Sequence, residues 1–342
     1  MSATPGLCLE YLPLPDGGAR LIRLYGQSPC PVLPQQVDGR PLTELGPYCF
    51  APRQRERLLP PADTLRRYTV PDPAERGRYD FDEGAPDALP RLAGSFIEQI
   101  TLPPTLRVMG EAAFYDCRKL HTLYVGPNLS VLGSDCLTNT LALQRLVMQA
   151  APGQPTGLLK LLAPLRGEIC VEFAPHGQPE AVLWYPEYWE DVTEVPAHML
   201  IPTFSGRGYD YRQRFANGVA AFAEYDTLLP TTGEGDAPAT LAMMAFDRLR
   251  YPYALSAQAA DRYRQYLTAD GHSLLCVQRL LPVQEMDALR QLLALDVMDA
   301  DALRAAANFS SAAENAEATA LITAALRKKA APAKRRYDFD DF

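Results

Sequence analysis

Long apolar runs are missing from this chain. Nowhere do about 18 apolar residues follow one another, so no membrane-spanning helix is expected. Close cysteine pairs are missing too. Cys8, Cys30, Cys49, Cys117, Cys136, Cys170 and Cys276 form an odd set without one Cys-x-x-Cys, whereas zinc needs such pairs with histidines beside them. Reduced thiols buried in a core are the plainer expectation. The four histidines, His121, His176, His198 and His272, share no spacing. Gly-x-Ser-x-Gly, His-Glu-x-x-His and the phosphate-binding Gly-x-x-x-x-Gly-Lys are absent, which removes the motif support for the chemistry each one marks. Positive charge is in deficit: 33 Lys and Arg stand against 41 Asp and Glu, a net charge of −8. A general nucleic-acid binder needs a basic face, so none is expected. Met1-Ser2-Ala3-Thr4-Pro5-Gly6 offers neither a basic nor an apolar leader region, and the expected location is cytoplasmic. No cofactor and no metal is implied.

What is present is a repeat. Ile97, Leu120 and Leu143 stand 23 residues apart, as do Ile100, Leu123 and Leu146, and then Leu102, Val125 and Met148. Pro104 matches Pro127, Gly110 matches Gly133, and Phe114 matches Leu137. A fixed period in this range with Leu-x-x-Leu-x-Leu spacing predicts stacked coils, each adding one strand to a shared sheet. Within Leu120-His121-Thr122-Leu123-Tyr124-Val125, alternate side chains point inward and outward. Gly126-Pro127 ends the strand, and Gly133 allows a tight corner. A single coil cannot bury its own apolar face, so its neighbours must stack on it.

These residues carry a resemblance. Leu102-Pro103-Pro104-x-Leu106-x-x-Met109-Gly110-x-x-Ala113-Phe114-x-x-Cys117-x-x-Leu120 resembles the BspA-type leucine-rich repeat. Val32-Leu33-Pro34, followed by Val37-Asp38-Gly39-x-Pro41-Leu42 and Cys49-Phe50, resembles that family's opening repeat. The likeness covers roughly residues 19–148, with Leu137 in place of the usual Phe and Thr140 where Cys117 stands one repeat earlier. Membership implies recognition of a protein or surface and carries over no catalytic residue.

The expected organisation has six parts: residues 1–50 with the first repeat, a Pro- and charge-rich insertion at 51–95, repeats and cap at 96–175, an aromatic junction at 176–238, helices at 239–328 and a disordered tail at 329–342. The insertion is expected to hold one short helix around Ala62 to Tyr68. Its Tyr79-Asp80-Phe81-Asp82 recurs as Tyr337-Asp338-Phe339-Asp340, a docking motif, an autoinhibitory mimic or a coincidence of biased composition. Thr156–Leu165 reads as a helix and Glu168–Phe173 as a strand, together closing the open end of the stack. Further on, Ser256 is placed to cap a helix running to Leu267, Gly271 breaks it, and Asp299 is placed to cap a short helix over Asp301–Ala307. Ala312–Lys328 then reads as the last helix. Such helix pairs resemble ankyrin-type stacking, without its Thr-Pro-Leu-His signature.

The fold class expected is therefore α+β: a short leucine-rich-repeat solenoid followed by an all-α helix-pair domain. Outward positions of the coils form the ladders Glu98–His121–Gln144, Gln99–Thr122–Arg145 and Thr101–Tyr124–Val147. Trp184, Trp189, Tyr209 and Arg212 mark the aromatic junction, since aromatics with arginine anchor interfaces and equally well pack domains together. The expected function is a non-catalytic scaffold that binds a protein partner through Glu98, Gln99, Thr101, His121, Thr122, Tyr124, Gln144, Arg145, Trp184, Trp189, Tyr209 and Arg212. Two alternatives stay open. One is a self-associating structural subunit; the other is an enzyme with a polar cleft around Glu187 and Arg212, where Glu187, Glu190, Asp191 and Glu194 supply carboxylates.

Overall fold

The 23-residue period is realised as a β-solenoid of about six turns over residues 19–173, followed by a helical region. The computed structural model describes residues 2–71, 89–195, 199–229 and 237–330. The chain opens with an antiparallel pair, β1 (Cys8–Pro13) and β2 (Ala19–Tyr25). β3 (Gln36–Val37) turns through Asp38-Gly39 into β4 (Arg40–Leu45), and β5 (Arg66–Thr69) belongs to the insertion. The repeats supply β6 (Gln99–Thr101), β7 (Val108–Met109), β8 (Thr122–Val125), β9 (Val131–Leu132) and β10 (Arg145–Met148). One sheet runs β5-β1-β2-β4-β7-β9. The other runs β6-β8-β10 and continues into the cap.

The coils that begin at Ile97 and Leu120 thus give two strands each, where one was expected. The return side holds β-branched Val108 and Val131, which pair in parallel and satisfy the backbone there as a second ladder. Between the sheets, Ile97, Ile100, Leu102 and their counterparts one and two coils later are at most 4 % exposed. Burying such a side chain contributes roughly 1.5–3 kcal/mol, so three per coil outweigh any single surface contact. Phe114 and Leu137 close the coil from its third side, and Phe50 stacks on Phe114 with ring centres 4.8 Å apart. Thr140 replaces Cys117 without leaving a buried polar atom unmet, because its hydroxyl donates to Leu137 O at 2.7 Å.

The corners set the stacking distance. Gly46 N donates to Leu21 O (2.7 Å), Gly110 N to Leu45 O (2.9 Å) and Gly133 N to Met109 O (2.8 Å). Two residues after each glycine, Tyr48, Ala112 and Asp135 adopt the left-handed conformation, with φ of 54°, 50° and 56°. That conformation costs roughly 1–2 kcal/mol for a residue with a Cβ. In return the Tyr48 and Ala112 N–H groups reach Glu111 O and Ser134 O of the next coil at 2.9 and 2.8 Å.

The insertion leaves one coil without breaking it. Gly94 N donates to Phe50 O at 2.8 Å, so the coil closes across the excursion. Arg91 Nη2 ties the exit, donating to Ala51 O (2.8 Å) and Cys49 O (3.1 Å). The helix expected at Ala62–Tyr68 is not formed. A single 3-10 turn spans Ala62–Thr64, and the next residues become β5, paired with the free edge of β1. Tertiary pairing overrides local helix preference here, and Arg67 reinforces it. Glu10 is 5 % exposed and accepts from Arg23 (2.9 Å), Arg67 (3.0 Å) and Tyr25 (3.2 Å). Burial works to raise the Glu10 pKa, but the hydrogen bonds from Arg23 and Arg67 outweigh it and hold the carboxyl below its ordinary value.

The far end is closed by α1 (Leu158–Leu162), β11 (Ile169–Phe173) and β12 (Ala181–Tyr185). β11 extends the second sheet in parallel and β12 ends it antiparallel. A two-stranded ribbon follows, β13 (Trp189–Val195) with β14 (Met199–Ser205). Then come α2 (Gly208–Arg212), the short hairpin β15 (Phe215–Ala216) and β16 (Val219–Ala220), and α3 (Phe222–Asp226). Phe222 and Tyr225 of α3 meet Phe173 and Tyr185 at 5.9 Å, covering the last coil.

The C-terminal unit is helical: α4 (Pro238–Arg250), α5 (Ala257–Thr268), α6 (His272–Leu280), α7 (Met286–Ala294), α8 (Ala300–Ala312) and α9 (Ala316–Ala330). α4 packs on α5 and α6, and α8 on α6 and α9. The Ser256 hydroxyl accepts from Ala259 N at 3.1 Å and the Asp299 carboxylate from Ala302 N at 2.7 Å, as their cap positions require. α8 runs longer than expected, and α9 starts later because the Asn315 side chain caps it at Ala318 N (3.0 Å). α9 also extends through Ala330 into the expected tail. Tyr79–Asp82 and Tyr337–Asp340 lie outside the described residues.

A methyl group on Gly110 would lie 2.7 Å from Leu45 O, whereas one on Gly167 would meet nothing within 4 Å. Gly110→Ala should therefore lower the unfolding free energy by about 3 kcal/mol, while Gly167→Ala stays within about 0.5 kcal/mol; denaturant titration checks both. The depressed Glu10 pKa makes its contribution present above the ordinary carboxylate range and lost as pH falls through the folded value. Amide exchange over Arg66–Thr69, corrected for intrinsic rates, should accelerate on acidification in the wild type. In Glu10→Gln it should be fast already at neutral pH.

Candidate functional site

The second sheet brings the three ladders into register. Gln99, Thr122 and Arg145 oppose one another across β6, β8 and β10, as do Thr101, Tyr124 and Val147. Along the rim, His121 N donates to Glu98 O at 2.8 Å and Gln144 N to His121 O at 3.2 Å. The ladders continue into the cap, where Arg145 opposes Cys170 and Val147 opposes Glu172.

Their side chains fare differently. His121, Gln144 and Arg145 are exposed, and Glu98, Gln99 and Tyr124 are half-buried. Thr101 and Thr122 are only 4 % and 3 % exposed, which corrects the expectation that both meet a partner. Short β-branched side chains in ladders with long neighbours at about 5 Å present little surface of their own. Thr122 Oγ1 is moreover engaged by His121 Nδ1 at 2.9 Å. Arg145 forms a two-point pair with Glu172, at 2.6 and 2.8 Å. That hydrogen bonding raises the Arg145 pKa against the opposing effect of burial, and it fixes the guanidinium on the face. Glu172 escaped the repeat reading because the cap coil is longer: Val147 to Glu172 is a step of 25 residues, where the repeats step by 23.

The junction residues separate just as sharply. Trp184 lies on β12 and is half-buried; its N–H donates to Tyr225 Oη at 2.9 Å, and that hydroxyl donates to Trp184 O at 2.6 Å. Tyr209 stacks on Phe204, with centroids 3.9 Å apart and planes 14° from parallel, and Tyr188 meets it edge-on at 5.8 Å. Trp189 is 65 % exposed.

Arg212 is the clearest correction: it is 3 % exposed and cannot meet a partner. Its Nε donates to Leu165 O (2.9 Å), Nη1 to Pro186 O (2.6 Å) and Gly208 O (2.9 Å), and Nη2 to Gly167 O (2.6 Å). Its guanidinium also lies 5.0 Å from the Tyr188 ring centre. Burial lowers its pKa to about 10, opposed by Tyr188 and Tyr185. Arg212 turns inward to these carbonyls, while Glu187 is exposed.

Cys8, Cys49, Cys117, Cys136, Cys170 and Cys276 are buried and unbridged, whereas Cys30 is exposed. Burial drives the Cys117 thiol pKa up to about 12. Among the described residues, no three His, Cys, Asp or Glu side chains converge to hold a metal ion, and no helix is long and apolar enough to cross a membrane.

Sequence reasoning missed Phe204 and Val192, which are 37 % and 55 % exposed on the face of the ribbon opposite Trp189; their strand register would have been the signal. Replacing Arg212 by Ala should leave its carbonyls unmet and lower stability by at least about 3 kcal/mol. The measured midpoint should fall sharply, whereas Trp189→Ala leaves it unchanged. Compared with protein-family models, with curated proteins and with solved structures, the chain matches none of them.

Proposed function

We propose that this protein is a non-catalytic protein–protein interaction scaffold of the BspA-type leucine-rich-repeat kind, acting in the cytoplasm. The observation that carries the reading is the rim Glu98–His121–Gln144 with Arg145 and Tyr124, held at coil spacing over a buried core. A surface fixed in this way loses little conformational freedom on binding, which favours recognition without rearrangement. The helix pairs after the solenoid, ankyrin-like in their sequence pattern, fit the same repeat-scaffold reading. Trp189 and Tyr209 extend the candidate surface to the ribbon, while Thr101, Thr122 and Arg212 drop out of it.

A second reading, a self-assembling structural subunit, draws on Val131 and Leu141, which are 51 % and 79 % exposed on the outside of the coils. Sedimentation over a range of concentrations separates the two: a constant mass of one chain opposes self-assembly.

Affinity capture from a cell extract, with wild type and a Tyr124→Ala/Arg145→Ala variant, tests the scaffold reading. Arg145 is 46 % and Glu172 13 % exposed, so losing this charged pair should cost about 1–3 kcal/mol, and an unchanged circular-dichroism spectrum would show that the variant stays folded. A stoichiometric protein held by the wild type and lost by the variant is the expected result; equal capture by both would move the site off this face.

A further inference from the structure

The ribbon β13–β14 is a sheet of its own, and among the described residues no third strand pairs with either member. Isolated two-stranded ribbons are marginal in water. This one is tied down at its base: Tyr188 N donates to Arg166 O at 3.0 Å, Arg166 pairs with Glu190 at 2.6 Å, and Phe204 stacks on Tyr209. At that base it exposes Trp189 at 65 %, and further along, on the opposite face, Val192 at 55 %. Of the two, the indole of Trp189 is the side-chain type enriched where surfaces meet partners.

The two outer edges are not equivalent. β14 reads Met-Leu-Ile-Pro-Thr-Phe-Ser, and Pro202 deprives it of one backbone donor, a feature that guards an edge against pairing. β13 reads Trp-Glu-Asp-Val-Thr-Glu-Val and keeps every N–H. Its acidic sequence opposes pairing with an acidic strand, including a second copy of itself, because like charges directly across a ladder repel. Around it, Glu187, Asp191 and Asp210 are exposed acids, while Glu190 is already neutralised by Arg166. Trp189 and Asp191 are two residues apart on one strand and so share a face. A cationic side chain delivered to that face can lie over the indole ring and beside the carboxylate together.

We infer that the free edge of β13 accepts an extended, basic segment of a partner protein by strand addition, with a Lys or Arg side chain seated over Trp189 next to Asp191. Main-chain hydrogen bonds supply the register, and alternate basic side chains supply the selectivity. The inference rests on the scaffold reading and adds to it a second docking surface with a defined partner chemistry.

The test uses the full chain and a fluorescein-labelled alternating Lys-Thr octapeptide, with the Glu-Thr octapeptide as its counterpart. The Lys-Thr peptide should bind, measured by anisotropy, and binding should weaken as salt rises. Asp191→Lys and Trp189→Ala should each weaken it at least about tenfold with no change in melting temperature, while the Glu-Thr peptide stays unbound. Tyr124→Ala/Arg145→Ala should bind the peptide as the wild type does, so failure of the solenoid-face reading leaves this result untouched. Absence of binding by the wild type, equal binding of both peptides, or full affinity in Asp191→Lys would overturn the proposal. A two-chain mass that Trp189→Ala returns to one chain would assign the ribbon to self-association and overturn it as well.

Discussion

Coil-to-coil backbone hydrogen bonding is the constraint on which the rest of this molecule depends. Each coil must return its chain to the same height and the same angle as the coil before it. Otherwise the ladders of both sheets slip, and a slip of one residue turns every inward side chain outward. The repeat meets this demand at its corners. Gly110 and Gly133 approach the preceding coil so closely that a Cβ would meet its backbone at 2.7 and 2.3 Å, and the left-handed Tyr48 and Ala112 turn their amides to carbonyls of the next coil. The strain at Ala112 is tolerated because the bond it permits repeats a geometry present in the coils on either side. The same demand explains where the insertion sits. It leaves after Phe50 and rejoins at Gly94, the two residues whose mutual hydrogen bond the coil needs in any case.

A stack solves its interior and creates a problem at its ends, where coils have no neighbour. The opening is closed by the antiparallel β1 with β5 beyond it, held by the buried Glu10 carboxylate between two arginines. The far end is closed by α1, the antiparallel β12 and the aromatic side chains of α3. There a single hydroxyl, that of Tyr225, meets both backbone groups of Trp184 on the terminal strand. Where carbonyls cluster without ladder partners, the chain places an arginine. Arg91 serves the mouth of the insertion, Arg212 the cap, and Arg248 the end of α4, where it donates to Tyr251 O and Tyr253 O at 3.3 and 3.1 Å. A planar cation with five donors satisfies several such oxygens at once, which lysine cannot do in the same fixed geometry.

This division of labour separates the arginines that hold the fold from those that present a surface. Arg145 stands on the sheet, pinned by Glu172 yet exposed, whereas Arg212 is withdrawn among carbonyls. In sequence Arg145 sits among Leu143, Gln144, Leu146 and Val147, and Arg212 follows Tyr209, Asp210 and Tyr211; neither setting by itself says whether the guanidinium faces in or out. Trp184 and Trp189 part in the same way. They stand five positions apart, but one lies in the terminal strand of the cap and the other stands open on the ribbon.

The sequence by itself determined the repeat length, the inward positions of the coils, the glycine corners and the helix caps at Ser256 and Asp299. Those features follow from periodicity and from interactions within a few residues, which one strand of text contains in full. Only the tertiary structure decided that the return side forms a second sheet, that Arg66–Thr69 is a strand, and that Thr101, Thr122 and Arg212 are buried. Each of these depends on partners far along the chain: β1 for β5, Gln99 and Arg145 for Thr122, and the carbonyls of residues 165, 167 and 186 for Arg212. Burial is a property of neighbours brought together by folding, and the 25-residue step into the cap put the last of those neighbours outside the period that the sequence displays.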